Sequence, residues 1–290
     1  MSEWTIGVIG GSGLYAIDGL EDAQSIRVDS PFGEASDDFV IGTLNGHKFV
    51  FLPRHGKGHR LSPSDVNARA NIDVLKRAGC TDILAISAIG SLREELPPGQ
   101  FVLVDQFIDR TVHRPSSFFG TGMVAHVSMA EPVCPRLSAL AADAARAAGA
   151  PVHQGGTYLA MEGPQFSSRA ESHVYRAWGC DVIGMTAMPE AKLAREAELP
   201  YALVGMVTDY DCWREGEDHV EVGAIIAQMN ANSARARQLV IELAKMLPER
   251  RESSPIDTCL DFALITAPEA RDPALLARLD AVAGRALRPR

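Results

Sequence analysis

Two aspartates separated by one residue follow a strongly apolar segment of this 290-residue chain. Residues 201–207 are rich in strand-forming side chains, and Asp209 and Asp211 come directly after them. Ligands of open α/β sheets bind at the carboxyl ends of the strands, which suits acids that do chemistry. If the chain is still extended at Asp209, residues at i and i+2 point to the same side and could face one ligand together. A solvated turn whose acids cap the next helix is the alternative.

A cluster of basic residues and glycines indicates an anion site. It spans residues 53–60 and includes Arg54 and His55, although the formal net charge of the chain is -9. A basic cluster in so acidic a chain is a local feature. A guanidinium beside an imidazole suits an oxyanion such as phosphate, because arginine can donate two parallel hydrogen bonds to it. A solvated loop is the alternative.

Two loops of small residues end other strand candidates and could bring backbone N–H groups to the same anion. Residues 10–14 follow a strand candidate at 5–9, and residues 87–91 follow one at 82–86. The first loop also satisfies a relaxed dinucleotide-binding pattern. The segment after it, 18–31, lacks the helix and the acid-terminated second strand which that pattern requires. A tight turn at a strand end is the alternative.

Strand and helix signals alternate along the chain. The other strand candidates are 39–44, 48–52, 101–104, 157–161, 182–184 and 201–207. The helix candidates are 64–79, 135–149, 167–178, 191–198 and 222–247, and Ser168 with Glu171 forms a capping box. This alternation predicts an α/β fold, a single domain with a mixed, mostly parallel twisted sheet flanked by helices on both faces. Residues 109–129 are too long and irregular for a simple connection, which predicts a functional loop.

Composition predicts a globular protein, since 46% of the residues are hydrophobic. We expect one domain at 1–247 and, at 248–290, a linker and helical tail docked on the core or on a neighbouring subunit. The acidic charge argues against binding nucleic acid polymers or anionic membranes. No apolar stretch could span a bilayer and no signal peptide is visible, so we expect a cytoplasmic protein. The five scattered cysteines predict free thiols, and no metal-ligand spacing appears.

Several long motifs, in order along the chain, resemble those of the S-methyl-5'-thioadenosine phosphorylases, in the trimeric branch of the purine nucleoside phosphorylase superfamily. The resemblance covers residues 5–247, with motifs at 10–14, 54–56, 67–71, 90–95, 105–110, 162–172, 184–186 and 208–213. It implies cleavage of the N-glycosidic bond of 5'-methylthioadenosine by inorganic phosphate, giving adenine and 5-methylthioribose 1-phosphate. It also implies a homotrimer, with phosphate as a co-substrate and no cofactor or metal.

Carried over by position, the resemblance implies particular site residues. The phosphate site would consist of Ser12, Arg54, His55, Ser87, Ala88 and Thr186. The nucleoside site would place Phe166 near the base, Met185 under the ribose, and Ser167, Asp209 and Asp211 at the purine edge. A pocket for the methylthio group would be lined by Val222, Ile226 and, from an adjacent subunit, His126. Asp209 would be the general acid that relieves charge on the departing base. Ser12 and Ser87 stand where threonine is common, and the C-terminal segment departs from the family pattern.

Three other functions are compatible with parts of the sequence. A related phosphorylase that prefers 6-oxopurines typically has asparagine where this chain has Asp209. A nucleotide-binding module without turnover would explain the glycine loop and Arg54, but not the acids of residues 208–213. A hydrolytic nucleosidase would need no phosphate, and the basic cluster argues against it.

Overall fold

The computed structural model describes residues 3–14, 17–214 and 222–288, and in these residues the strands belong to one sheet of eleven. The strands are β1 Thr5–Gly10, β2 Glu21–Ile26, β3 Phe39–Leu44, β4 His47–Pro53, β5 Asp82–Ser91, β6 Phe101–Val104, β7 Gln106–Asp109, β8 Val152–Gln154, β9 Thr157–Ala160, β10 Val182–Gly184 and β11 Tyr201–Asp209. The helices are α1 Ala68–Arg77, α2 Pro135–Ala147, α3 Arg169–Ala177, α4 Ala187–Glu196, α5 Val222–Met246, α6 Pro273–Arg278 and α7 Gly284–Leu287. Short 3-10 turns lie at Ser12–Leu14, Pro255–Thr258 and Pro268–Ala270.

Strand β5 is the centre of the sheet because three strands pair with it. Strands β1 and β11 run parallel to β5, and β10 runs antiparallel to it. The strand order is β2-β3-β4-β1-β5-β10-β9-β7, while β11 also pairs with β6, and β6 with β8. Parallel pairs outnumber antiparallel pairs, which confirms the mixed, mostly parallel sheet expected from the sequence.

Two hydrophobic cores cover the sheet, because alternate residues of the central strands point to opposite faces. One core combines Ile9 and Leu52 of the sheet with side chains from α1 and α4. The other combines Val8 and Phe51 with side chains from α2 and α5. Helices therefore cover both faces, as the alternation of strand and helix signals predicts.

The C-terminal segment packs on these same cores. Leu260 and Leu279 belong to the core under α1 and α4. Ion pairs add to the attachment, since Arg251 pairs with the fully buried Asp82 and Arg285 pairs with Glu198. The division of the chain into a domain at 1–247 and a linker and tail at 248–290 stays a prediction. None of the helices in the described ranges is long and apolar enough to cross a membrane.

Some elements differ from the sequence-based prediction. Strands β2, β7 and β8 were not predicted, and their side chains are mostly polar or only partly buried, so they lack an apolar pattern. Helix α1 begins at residue 68 after the N-cap Asn67, and α4 begins at 187 instead of 191. The capping box of Ser168 and Glu171 is confirmed at the start of α3.

Candidate active site

The segments predicted to do chemistry meet at one edge of the sheet. Strands β1, β4, β5 and β11 are parallel neighbours, so their carboxyl ends lie together. Gly10 pairs with Pro53, and the Arg54 N–H donates to the Gly10 carbonyl over 3.0 Å. Residues 87–91, predicted to be a loop, continue strand β5 instead, and the register of β11 against it shifts just before Asp209.

Arg54 lies buried beneath this edge, with its side chain only 2% exposed. Its Nε and Nη2 donate to the two carboxylate oxygens of Glu190, over 2.9 and 3.1 Å. Nη1 donates to the carbonyl of Ile86, and Nη2 also donates to that of Ile9. The bidentate donor pair of the guanidinium, Nε and Nη2, was predicted from the sequence to bind phosphate. In the structure this pair binds Glu190 instead. Partners in the described residues use four of the five arginine donors, which leaves one Nη1 N–H for a ligand.

Glu190 has a second buried partner, since the Tyr201 hydroxyl donates to its Oε1 over 2.9 Å. Burial and the Glu190 charge raise the pKa of Tyr201, so its hydroxyl stays protonated. Burial alone would lower the pKa of Arg54, but the ion pair with Glu190 outweighs burial and leaves this pKa above its usual value. The charge of Arg54 is thus permanent and already balanced inside the protein.

His55 is neutral at physiological pH. Burial and the charge of Arg54 lower the pKa of His55 to about 4, although its hydrogen bond with the Leu61 carbonyl opposes the shift. The Nδ1 atom is 3.0 Å from that carbonyl, so the proton of the neutral ring belongs on Nδ1. The ring stacks on His59, with centroids 4.2 Å apart. Nε2 is then an acceptor, suited to a protonated phosphate oxygen.

Thr186 and Ser87 bring two hydroxyls together, with their oxygens 3.2 Å apart. Thr186 is the N-cap residue of α4, yet its side chain makes no capping hydrogen bond. Its hydroxyl is therefore available beside a helix N-terminus, where backbone N–H groups favour anions. Ala88 follows Ser87 in β5, and its carbonyl accepts from the Ser87 hydroxyl over 3.2 Å. The side chain of Ser12, on the adjoining loop, lies outside the described residues.

Asp209 and Asp211 are linked directly, because the Asp211 N–H donates to Asp209 Oδ1 over 2.8 Å. Asp209 Oδ2 accepts from the Thr208 hydroxyl over 2.7 Å. Strand β11 reaches Asp209, as the i, i+2 argument requires, but Asp211 has a φ of 54°, so the chain turns at the second acid. Burial raises the pKa of Asp211, the Ser172 hydroxyl opposes the shift, and the charge of Asp209 adds to it.

Gly90 makes room for the Asp209 carboxylate. A Cβ atom at Gly90 would lie 3.1 Å from Asp209 Oδ1 and 3.1 Å from the side chain of Ile183. The turn that contains Asp209 and Asp211 is also attached to β5 by a hydrogen bond, since the Trp213 indole N–H donates to the Ser91 carbonyl over 2.8 Å. Strand β5 therefore fixes the position of the acids.

Ser167 and Met185, two further residues predicted to bind the nucleoside, each contact another segment of the site. The Cys212 thiol donates to the Ser167 carbonyl over 3.2 Å, which joins the 167 segment to the aspartate turn. Met185 lies against Gly163, where a Cβ atom would approach its sulfur to 2.6 Å. Phe166 is 52% exposed, so about half of this residue is accessible to a ligand.

The role of the predicted methylthio residues stays a prediction. His126 is exposed, and its backbone N–H donates to the Ala263 carbonyl of the C-terminal segment. Ile226 is 51% exposed. The side chain of Val222 lies outside the described residues. In the described residues, no group of three or more His, Cys, Asp or Glu side chains could hold a metal ion.

Sequence reasoning missed four residues that shape the site: Glu190, Tyr201, Arg114 and Glu162. Glu190 is 3% exposed and follows a proline in an apolar segment, which was a usable signal for a buried, paired acid. Arg114 lies in the irregular loop, where nothing local distinguishes it from a solvated arginine.

The fold and the site define a protein of the phosphorylase superfamily, and the sequence model of that family matches residues 5–245. An S-methyl-5'-thioadenosine phosphorylase of Cereibacter sphaeroides is 60% identical over 285 residues, covering 98% of this chain and 98% of that protein. The chain therefore belongs to the S-methyl-5'-thioadenosine phosphorylases, which confirms the resemblance found in the sequence.

Solved structures agree with this family. A methylthioadenosine phosphorylase from an antarctic soil metagenomic library superimposes with a TM-score of 0.92 at 45% identity, covering 97% of this chain and 99% of that one. A variant of the adenosine/methylthioadenosine phosphorylase of Schistosoma mansoni, in complex with methylthioadenosine, has a TM-score of 0.80 at 34% identity. That comparison covers 97% of this chain and 98% of the other.

Proposed function

We propose that this chain cleaves 5'-methylthioadenosine with inorganic phosphate and releases adenine and 5-methylthioribose 1-phosphate. One observation carries the proposal: two adjacent hydroxyls suited to bind an anion and a carboxyl group lie at the same sheet edge. Thr186 and Ser87 face each other within 3.2 Å, and the pairing of β5 with β11 places Asp209 opposite Gly90. Family membership at 60% identity supports the same activity, a pentosyl transfer to phosphate.

The proposed chemistry follows from charge. Breaking the C1'–N9 bond makes the ribosyl carbon cationic and the purine anionic, so an anion is needed on one side and a proton donor on the other. Thr186, Ser87 and the free Nη1 N–H of Arg54 would hold the phosphate, with backbone groups at Ser12 and Ala88. His55 would accept a hydrogen bond from a protonated phosphate oxygen.

Asp209 would donate a proton to, or share one with, N7 of the base, a role typically worth about 10²–10⁴-fold in rate. Phe166 would stack near the purine, and Ser167 and Asp211 would contact its edge. Met185 would lie under the ribose. The contact between Cys212 and Ser167 supports a shared base pocket, because it holds the two base-reading segments together.

The proposal includes a homotrimer whose active sites are completed across subunit boundaries. His126 of an adjacent subunit, with Val222 and Ile226, would enclose the methylthio group. Exposed apolar side chains near the His126 loop support an interface, since Phe262 is 97% and Val112 is 75% exposed. Light scattering that found an active monomer would remove the trimer from the proposal.

The enzyme would work without cofactor or metal, using phosphate as a co-substrate. It would act in the cytoplasm and return methylthioadenosine to purine and methionine salvage. The five cysteines are all free, which is typical of a reducing compartment.

Product analysis tests the proposal. Methylthioadenosine, adenosine and inosine are each incubated with the enzyme, with and without phosphate, and free base and sugar phosphate are quantified. We expect adenine and a sugar phosphate only when phosphate is present. Equal turnover without phosphate would show a hydrolase, preference for inosine would show the 6-oxopurine relative, and no turnover would leave only a binding module.

A further inference from the structure

Arg114 forms the centre of a polar cluster next to the phosphate site, although its side chain is only 4% exposed. Its guanidinium donates to the carbonyl of Met185 and, over 2.8 Å, to that of Met188. These two carbonyls lie on either side of Thr186. Arg114, which is not part of α4, therefore fixes the N-terminal end of this helix through two hydrogen bonds.

Glu162 connects the same arginine to the nucleoside segment. Arg114 Nε donates to Glu162 Oε1 over 3.0 Å, and Nη2 donates to the Glu162 carbonyl. The other carboxylate oxygen accepts from the backbone N–H groups of Val112 and His113. Burial alone would raise the pKa of Glu162, but these hydrogen bonds and the Ser64 hydroxyl lower it to about 2. The Glu162 carboxylate thus stays charged at neutral pH.

The N-terminus of α4 is held by groups from other elements, since the Thr186 N–H donates to the Tyr158 hydroxyl over 3.4 Å and Arg114 donates to the carbonyls of Met185 and Met188. Thr186 makes no side-chain capping bond, which leaves its hydroxyl facing Ser87. A threonine that capped its own helix would direct its oxygen at backbone N–H groups instead. The charge of Arg114 also reaches the phosphate site, since it adds to burial and to Arg54 in lowering the pKa of His55.

We propose that Arg114 is a positioning residue for phosphate, which fixes the Thr186 hydroxyl and the α4 N-terminus against the Glu162 segment. The inference rests on the proposed phosphorolysis and adds a residue that touches neither substrate. Arg114 lies on the same 109–129 loop as His126. It therefore links the loop expected to meet the neighbouring subunit with the phosphate site.

The test compares Arg114→Ala with Arg110→Ala. Arg110 is a matched control on the same loop, because it is exposed and its guanidinium lies over the Trp178 ring at 5.7 Å from the centroid. We expect Arg114→Ala to raise the phosphate KM about 10- to 100-fold, more than it lowers kcat, since small misplacements of binding groups have effects of that size. Arg110→Ala should leave both constants unchanged.

Chemical rescue separates positioning from simple destabilisation. Guanidinium ion at millimolar concentration can enter the space left by Arg114→Ala, and we expect it to lower the phosphate KM again. Arg114→Lys serves if the alanine variant does not fold. A lysine keeps the charge but lacks the planar guanidinium whose N–H groups bind Met185, Met188 and Glu162. The phosphate KM of Arg114→Lys should therefore lie between those of the wild type and Arg114→Ala.

Three results would overturn the proposal: a wild-type phosphate KM in Arg114→Lys, an alanine variant no worse than Arg110→Ala, or a loss of kcat that guanidinium does not restore. A wild-type enzyme with no phosphorolytic activity would instead contradict the proposed function. Calorimetric titration with inorganic phosphate would then still decide the role of Arg114, because binding should weaken in Arg114→Ala and not in Arg110→Ala.

Discussion

Arg54 and Glu190 form a two-pronged ion pair in which the side chains are only 2% and 3% exposed. Removing two charges from water is costly, and their attraction offsets that cost only when the geometry is good and the remaining donors are satisfied. The Ile86 carbonyl and the Tyr201 hydroxyl meet these needs. Because Glu190 balances the charge of Arg54, we expect phosphate selectivity to depend on well-placed N–H and O–H donors more than on net charge.

Glu190→Gln tests the importance of this pair. The substitution leaves the Arg54 charge buried without a counter-ion, so we expect the free energy of unfolding to fall by about 3–5 kcal/mol. Urea unfolding measures the change. Tyr201→Phe is the control, because it removes one hydrogen bond to Glu190 and keeps the ion pair, and it should cost about 1 kcal/mol. If both variants lose the same free energy of unfolding, the ion pair between Arg54 and Glu190 is no more important than one hydrogen bond, which contradicts the prediction.

His55 should make stability depend on acid pH. Its pKa is about 4 in the folded protein and near the ordinary 6.5 when unfolded, so the unfolded chain takes up the proton first as pH falls. The stabilising effect is complete above pH 6.5 and is lost toward pH 4. Between pH 7 and 4.5, wild type should lose about 2–3 kcal/mol more than His55→Gln.

The exposed His153 supplies the control for that comparison. His153→Gln should follow the wild-type pH dependence in urea unfolding. A C2–H proton resonance of His55 that titrates near 6.5 would show that the ring is not held neutral.

Glu196 should have the opposite dependence on pH. Burial raises the pKa of Glu196 to about 7, although hydrogen bonds from the Phe118 N–H and the Ser117 hydroxyl oppose the shift. The folded protein holds a proton that the unfolded chain releases near pH 4.5. Stability from this group is therefore present below pH 4.5 and is lost as pH rises through 7.

Glu196→Gln stays neutral and keeps an acceptor oxygen. We expect it to be more stable than wild type at pH 8 by about 2–3 kcal/mol and nearly equal to it at pH 4.5. Thermal and urea unfolding at both pH values measure the difference. A constant difference across pH would indicate that Glu196 does not titrate in this range.

The chemistry-bearing segments were predictable from the sequence because each has a local signature. A basic cluster in an acidic chain, a glycine loop after a strand and acids at a strand end all follow from neighbouring residues. The partner of Arg54 was not predictable in this way. Glu190 is 136 residues away, and only the packing of α4 against the sheet brings it to the guanidinium.

Backbone detail was also beyond the sequence pattern. An aspartate tolerates the left-handed conformation found at Asp211, but nothing in the sequence requires it there. Strand β2 pairs with β3 while most of its side chains are exposed, so its polar sequence resembles a loop. Elements held by backbone pairing alone carry no apolar period that could predict them.

Asp209→Asn tests how the base is chosen. A 6-aminopurine offers an amino donor at C6 and an N7 that takes a proton as the bond breaks, and a carboxylic acid can serve both groups. A 6-oxopurine presents an acceptor at C6, which would leave buried polar groups badly paired at a cost of about 1–3 kcal/mol. Adenine nucleosides should therefore be strongly preferred by the wild type.

The structure accommodates asparagine at this position. Its amide oxygen can still accept from the Asp211 N–H, and its amino group can donate to the Thr208 hydroxyl oxygen. The variant should therefore fold, but it cannot deliver a proton to N7. We expect kcat/KM for methylthioadenosine to fall by about two to four decades, with a smaller loss for methylthioinosine.

Measurements of kcat/KM for both substrates, on wild type and variant at one pH, decide the question. Asp211→Asn is the comparison variant, because it changes the neighbouring acid and leaves the Asp209 side chain itself unchanged. If Asp209→Asn lowers kcat/KM for both substrates by the same factor, Asp209 does not select the base, and its contribution is confined to catalysis. If Asp211→Asn instead narrows the preference for methylthioadenosine, the specificity belongs to Asp211, a partly buried acid whose raised pKa favours the protonated, hydrogen-bond-donating form.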